Sequence, residues 1–141
     1  RFIFENSFYQ ARQKGLVSAE QITEMMVAAQ KESYADGLAS YHPHFWAAKL
    51  HFFIDDVPFY NFPYTFGYLF SMGIYAYANQ KGTSFEEEYI ALLQDTASMP
   101  TEELAQKHLG VDLTKPDFWQ AGIDRVLQDI DTFMELTEEY L

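Results

Sequence analysis

Apolar residues recur every three or four positions along most of the chain, which is the spacing of amphipathic α-helices. The clearest case is the last segment, where five apolar residues follow one another at steps of 4, 3, 4 and 3, with acidic residues opposite: Trp119, Ile123, Val126, Ile130 and Phe133. No alternating apolar and polar run is long enough to predict a β-sheet. The pattern therefore predicts an all-α, multi-helix fold, and the short connections predict a single helical domain over residues 1–141.

Capping and turn residues predict where these helices begin and end. The first helix covers residues 2–14 and ends at Gly15. A capping box of Ser18 with Gln21 begins the second, which runs to about residue 36, and a third covers residues 44–53. The break at 55–58 separates it from a helix over 62–80 with Pro63 in its first turn.

The C-terminal half shows the same kind of signals. Ser84 with Glu87 forms a second capping box, for a helix that ends near residue 96. Thr101 caps a short helix that stops at Gly110, and Pro116 begins the last helix.

Composition narrows the classes of function. The net charge is −12, which argues against a nucleic-acid binder and against docking on an anionic membrane surface. With no cysteine, the chain offers no disulfide, thiol nucleophile or zinc-finger ligand. The first residues lack the basic start and apolar run of a signal peptide, so we expect a cytoplasmic location.

Residues 57–80 carry no charge, and they hold five tyrosines. Their length would admit a membrane span, but the two prolines, two glycines and three amide side chains favour a helix buried on most sides. Tyr60, Tyr64 and Tyr68 are spaced to share one face of a continuous helix, although Tyr60 precedes Pro63 and could belong to the turn instead. Such a row of phenols forms either a structural hydrogen-bonding layer or the wall of a polar cleft. Gly67 and Gly73 allow close packing or a kink in the same segment.

The histidines do not follow a known metal-binding pattern. None is followed by glutamate, so H-E-x-x-H is absent, and the E-x-x-H pattern of di-iron bundles is absent too. A metal shared by His42 and His44 is disfavoured by the intervening proline. His51 is either a structural residue or a donor to a developing oxyanion beside the tyrosines. His108 lies near a helix C-terminus, where it favours the helix dipole.

Several stretches resemble the C-terminal part of the oligoendopeptidase F family, which belongs to the thimet-type M3 zinc metallopeptidases. The resemblance covers essentially the whole chain and is carried by five stretches: Arg1–Glu5, Phe8–Tyr9, Ala29–Tyr34, Trp46–His51 and Pro58–Ser71. It implies the helical, zincin-type fold of that family, with a deep cleft that admits short unfolded peptides. It also implies a zinc ion held by H-E-x-x-H and a later glutamate.

Because this chain lacks H-E-x-x-H, the resemblance implies a C-terminal fragment of a zinc metalloendopeptidase. Zinc would belong to the parent protein, with none expected in this fragment, which alone should be inactive. The implied partners are short peptide substrates and the upstream part of the peptidase. Phe66–Ser71 is similar to a tyrosine-bearing element of the thimet branch, which makes Tyr68 the best-matched catalytic tyrosine. His51 is the implied catalytic histidine, and Tyr60 and Tyr64 are the implied substrate-binding residues.

Two readings without catalysis stay open. The chain could be a stand-alone helical module that docks peptides on its aromatic face. It could also be a purely structural domain, and that reading predicts buried tyrosines that hydrogen-bond to one another.

Overall fold

The computed structural model describes residues 1–140 and contains no β-strand among them, which confirms the all-α prediction. The α-helices are α1 (Phe2–Arg12), α2 (Ala19–Ser33), α3 (Phe62–Lys81), α4 (Phe85–Asp95), α5 (Thr101–Leu109) and α6 (Asp117–Thr137). Short 3-10 helices cover Phe45–Ala48, Leu50–Phe53, Gly82–Ser84 and Glu138–Tyr140. The chain divides into two compact units, Arg1–Tyr64 and Thr65–Leu141, and each is described by itself.

In the first unit, α1 packs on α2 around the buried side chains of Phe4, Met26 and Ala29. The predicted capping box at the start of α2 is confirmed. The Ser18 hydroxyl accepts the Gln21 backbone N–H at 3.3 Å, and the Gln21 side-chain oxygen accepts the Ser18 N–H at 2.9 Å. Two orphan amide groups are thereby satisfied, and this fixes where the helix begins.

The segment predicted as one helix over 44–53 is two 3-10 helices instead. Lys49 takes an extended backbone between them, with φ −108° and ψ 95°, so the helical hydrogen-bond pattern cannot continue through it. The break lets the rings of Phe45, Trp46 and Phe52 all pack on the core of the first unit. The second helix also ends earlier than predicted, because Ala35 and Asp36 take positive φ values of 49° and 54°.

In the second unit, α4 and α5 pack against each other, and the core is formed by five buried apolar side chains: Phe85, Leu92, Leu104, Leu109 and Phe118. Helices α3 and α6 approach closely at two glycines. A Cβ atom added to Gly73 would lie 2.4 Å from the ring of Phe118, and one added to Gly122 would lie 2.9 Å from the backbone nitrogen of Gly73. The close-packing role predicted for Gly73 is confirmed, whereas Gly67 faces open space.

Two helix starts in this unit differ from the prediction. Ser84 makes no capping bond; its hydroxyl donates to the Lys81 carbonyl at 2.9 Å instead. An N-cap side chain needs an extended backbone to reach back, and Ser84 is already helical within the preceding 3-10 turn. Thr101 is the first residue inside α5, with Pro100 at the N-cap position. The predicted stop at Gly110 is confirmed by its left-handed φ of 67°.

The uncharged helix is less buried than predicted. Only Gly73 of α3 is fully buried, and the side chains of Phe62, Tyr64 and Tyr68 are exposed. The apolar stripe of α6 likewise packs on the core near its start but is exposed at Ile130 and Phe133. None of the helices described over residues 1–140 has the length and apolar character needed to cross a membrane.

One ion-pair cluster joins α4 to α5. The Asp95 carboxylate accepts from Lys107 Nζ and lies 2.8 Å from His108 Nε2. Hydrogen bonds from these two basic side chains lower the pKa of Asp95 below its ordinary value. His108 thus has a specific partner in addition to its place at a helix C-terminus.

We expect this cluster to make stability depend on pH in acid. Because the pKa of Asp95 is lowered in the folded state, the unfolded chain binds protons first, and the stabilisation present at neutral pH is lost as the pH falls through the folded pKa. Asp95→Asn should therefore lower Tm at pH 7, and its difference from wild type should shrink below about pH 4. Thermal melts across this range, with exposed Asp131→Asn as control, measure it. A difference that stays constant with pH would contradict the role given to Asp95.

Candidate functional site

The loop before α3 is held in an unusual conformation by α1. Phe59 has a positive φ of 55°, a left-handed conformation that costs a non-glycine residue about 1–2 kcal/mol. Its backbone N–H donates to the Glu5 carboxylate at 2.8 Å, and its ring lies 5.2 Å from the rings of both Phe2 and Tyr9. These three residues of α1 are at steps of 3 and 4, so one face of the helix holds Phe59 by its amide and by its ring.

This turn places Tyr60 directly on His51. The phenol and imidazole rings are nearly parallel, with an interplanar angle of 3° and centroids 3.8 Å apart. His51 lies on the second 3-10 helix, Leu50–Phe53, so the stack joins this short helix to the loop before α3 within the first unit. A stack this close leaves the edge of the imidazole, which carries its two nitrogens, free of the ring contact.

Tyr64 extends the cluster by one more hydroxyl. The rings of Tyr60 and Tyr64 have centroids 6.4 Å apart. A hydrogen bond between the two hydroxyls raises the pKa of Tyr60 above its usual value. The Tyr64 side chain is 69% exposed, so its own O–H is accessible to a ligand. We call His51, Tyr60 and Tyr64 the tyrosine–histidine cluster.

Tyr68 lies on α3 in the second unit, one helical turn after Tyr64. Its side chain is 53% exposed, and its hydroxyl forms no hydrogen bond with another of the residues described. Of the four predicted site residues, the structure brings three together in the first unit, and the fourth, Tyr68, belongs to the second unit. The structural interpretation predicts that these tyrosines are buried, whereas all three are exposed.

The remaining histidines have other partners. His42 Nδ1 accepts the His44 backbone N–H at 3.1 Å, which leaves Nε2 as the ring nitrogen of His42 without that bond. Within residues 1–140, no three histidine or carboxylate side chains are grouped so that they could hold a metal ion. These residues therefore do not fit a zinc site.

Glu5 is the residue that sequence reasoning missed. A glutamate near the start of a helix is normally taken as a solvated charge that favours the dipole. Here it is only 4% exposed. The signal was present in its spacing, since Glu5 shares a helix face with the aromatic residues Phe2 and Tyr9.

A separate groove of about 690 Å³ lies between α2 and the segment that precedes Phe45. The Gln30 side-chain amide bridges this groove by bonding both the N–H and the C=O of His42, at 3.3 and 3.0 Å. None of the predicted site residues lines it. The groove thus stands apart from the tyrosine–histidine cluster within the first unit.

Comparison of the chain with models of known protein families, with curated proteins and with solved structures finds no match.

Proposed function

We propose that the chain is the C-terminal portion of a zinc metalloendopeptidase that hydrolyses short peptides, and that it supplies the tyrosine and histidine wall of the substrate cleft. The observation that carries the proposal is the tyrosine–histidine cluster. Its ring stack is close, and its Tyr64 hydroxyl is exposed rather than consumed by the core. An exposed phenol hydroxyl can donate a hydrogen bond to a ligand.

The cluster suits recognition of a peptide backbone. A peptide carbonyl offers an acceptor oxygen, and hydrolysis turns that oxygen into an oxyanion that gains most from hydrogen-bond donors already in place. In the proposal, the Tyr64 hydroxyl and an imidazole N–H of His51 donate to the substrate, while Tyr60 orients both. Tyr68 supplies the donor for the oxyanion. The absence of charge from Val57 to Gln80 keeps competing carboxylates off this segment.

Zinc is assigned to another part of the full-length protein. The residues described do not fit a zinc site, so no zinc ligand and no metal-dependent step is attributed to this chain. Its proposed contribution is confined to binding the peptide, orienting it and donating hydrogen bonds.

The exposed apolar stripe of α6 supports a partner portion of the same protein. Leu127, Ile130 and Met134 follow one another at steps of 3 and 4 and are each about half exposed, and Phe133 beside them is 61% exposed. Burying such a side chain is worth roughly 1.5–3 kcal/mol. In the proposal, the upstream part of the peptidase covers this stripe in the full-length protein, and the stripe is exposed where that part is missing.

The test uses the full-length gene product. We expect an in-frame H-E-x-x-H upstream of Arg1 and hydrolysis of short, internally quenched fluorogenic peptides. A chelator such as 1,10-phenanthroline should abolish hydrolysis, zinc should restore it and magnesium should not. The chain alone should release no fluorescence. A zinc-loaded full-length protein that leaves every peptide intact would overturn the proposal.

The second candidate is a stand-alone helical module that binds peptides without catalysis. The exposed side chain of Tyr64, on a segment without charge, favours it, since such a surface can dock a peptide by contact alone. It predicts that this chain binds the same peptides in the presence of a chelator and never cleaves them. Fluorescence anisotropy with and without chelator separates the two candidates.

A further inference from the structure

We propose that Glu5 is a positioning residue: its buried carboxylate holds the backbone amide of Phe59 and thereby keeps Tyr60 stacked on His51. The structural part of this inference stands on geometry alone. Its consequence for turnover rests on the proposed peptidase function.

The carboxylate of Glu5 is buried. Glu5 is 4% exposed, and the structure gives it no ion pair with any of residues 1–140. A buried carboxylate is costly unless its oxygens are hydrogen-bonded. The bond that the structure shows joins Glu5 to the Phe59 N–H, 54 positions along the chain. The carboxylate therefore ties α1 to the loop rather than serving its own helix.

The hydrogen bond to Glu5 controls the backbone direction at Phe59. Phe2 and Tyr9 contact the ring of Phe59, so they fix where its side chain lies. They do not fix the plane of the peptide that precedes it. The hydrogen bond to Glu5 fixes that plane, and together with the left-handed φ it sets the direction in which the chain continues to Tyr60. Without a correctly placed acceptor, Phe59 should relax to a negative φ and carry Tyr60 off the imidazole.

The experiment compares two variants that separate the placement of the acceptor from its charge. Glu5→Gln keeps an acceptor oxygen at the same reach but removes the charge. Glu5→Asp keeps the charge but withdraws the oxygen by one bond length. The exposed Glu24→Gln on α2 is the matched control for loss of a negative charge.

The readout is the NMR signal of the His51 ring protons in the isolated chain. A ring stacked at 3.8 Å shifts these protons upfield, and Tyr60→Leu gives the unstacked reference. We expect Glu5→Gln and Glu24→Gln to keep the wild-type shift and Glu5→Asp to move to the reference, with helical circular dichroism unchanged in all. Loss of the shift in Glu5→Gln, or its retention in Glu5→Asp, would overturn the inference.

Turnover of the full-length protein gives the second, separable readout. A donor misplaced by about 1 Å can lower the rate on the order of 100-fold. Glu5→Asp should therefore lower kcat by roughly 10- to 100-fold with little change in KM. Glu5→Gln should retain most of the wild-type kcat. If Tyr60→Leu leaves kcat unchanged while the NMR result holds, the proposed function of the cluster fails and the positioning role of Glu5 stands. If the NMR result fails, the inference about Glu5 fails whatever the kinetics show.

Discussion

Tyr68→Phe is expected to lower kcat of the full-length protein on short peptides by about 10²–10³-fold while changing KM little, because it removes one donor to the oxyanion and nothing else. The substitution deletes only the hydroxyl, which forms no hydrogen bond with the other residues described and is half exposed. No internal bond is lost with it, so the fold should be unaffected. Steady-state kinetics on one fluorogenic peptide measure the effect.

Tyr89→Phe is the matched control for Tyr68→Phe. Tyr89 is also an exposed tyrosine of the second unit, but it lies on α4 with its ring against Phe85. It should keep wild-type kcat and KM. Equal turnover in Tyr68→Phe and wild type would remove Tyr68 from the mechanism. A rise in KM without a fall in kcat would instead assign it to substrate binding.

The helices were predictable where the signal is local and self-sufficient. The Ser18–Gln21 capping box forms both of its hydrogen bonds within four residues. Gly110 ends α5 because glycine can adopt the left-handed conformation without a steric penalty. The Ser84–Glu87 motif follows the same capping-box pattern but forms no cap, because the cap also depends on the backbone conformation at its first residue. The 3-10 turn before Ser84 supplies the wrong entry.

The structure brings together three of the residues predicted for the candidate site, but the sequence did not predict their geometry. Helical spacing placed Tyr60, Tyr64 and Tyr68 on one face, yet Tyr60 precedes α3 and belongs to the loop. It reaches Tyr64 because Phe59 turns left-handed, and that turn depends on Glu5, which is 54 positions away. Periodicity carries no information about contacts at such separations. The prediction that α3 is buried on most sides failed for the same reason. The hydrophobic pattern shows which side chains a segment can bury, but it does not show which elements lie beside that segment.

The largest stability effect is expected from Gly73→Ala. The added methyl group would lie 2.4 Å from the ring of Phe118, which is itself buried in the core of the second unit. The ring has to move, and overpacking of this kind costs about 1–3 kcal/mol, which exceeds the gain of up to about 1 kcal/mol from replacing a helical glycine by alanine. The free energy of unfolding of the second unit should fall.

Gly67→Ala is the internal control, because it makes the same substitution in the same helix at a position where the added methyl group meets no atom within 4 Å beyond its chain neighbours and its own helix backbone. There only the helix-propensity term operates, so stability should rise by up to about 1 kcal/mol. The chain has two tryptophans, and Trp119 packs against the core of the second unit, so a Trp46→Phe background lets fluorescence report on that unit alone. Denaturant melts should therefore shift in opposite directions for the two variants. Shifts of the same sign would mean that α3 and α6 do not approach at Gly73, because helix propensity acts equally on both glycines and only the clash with Phe118 distinguishes them.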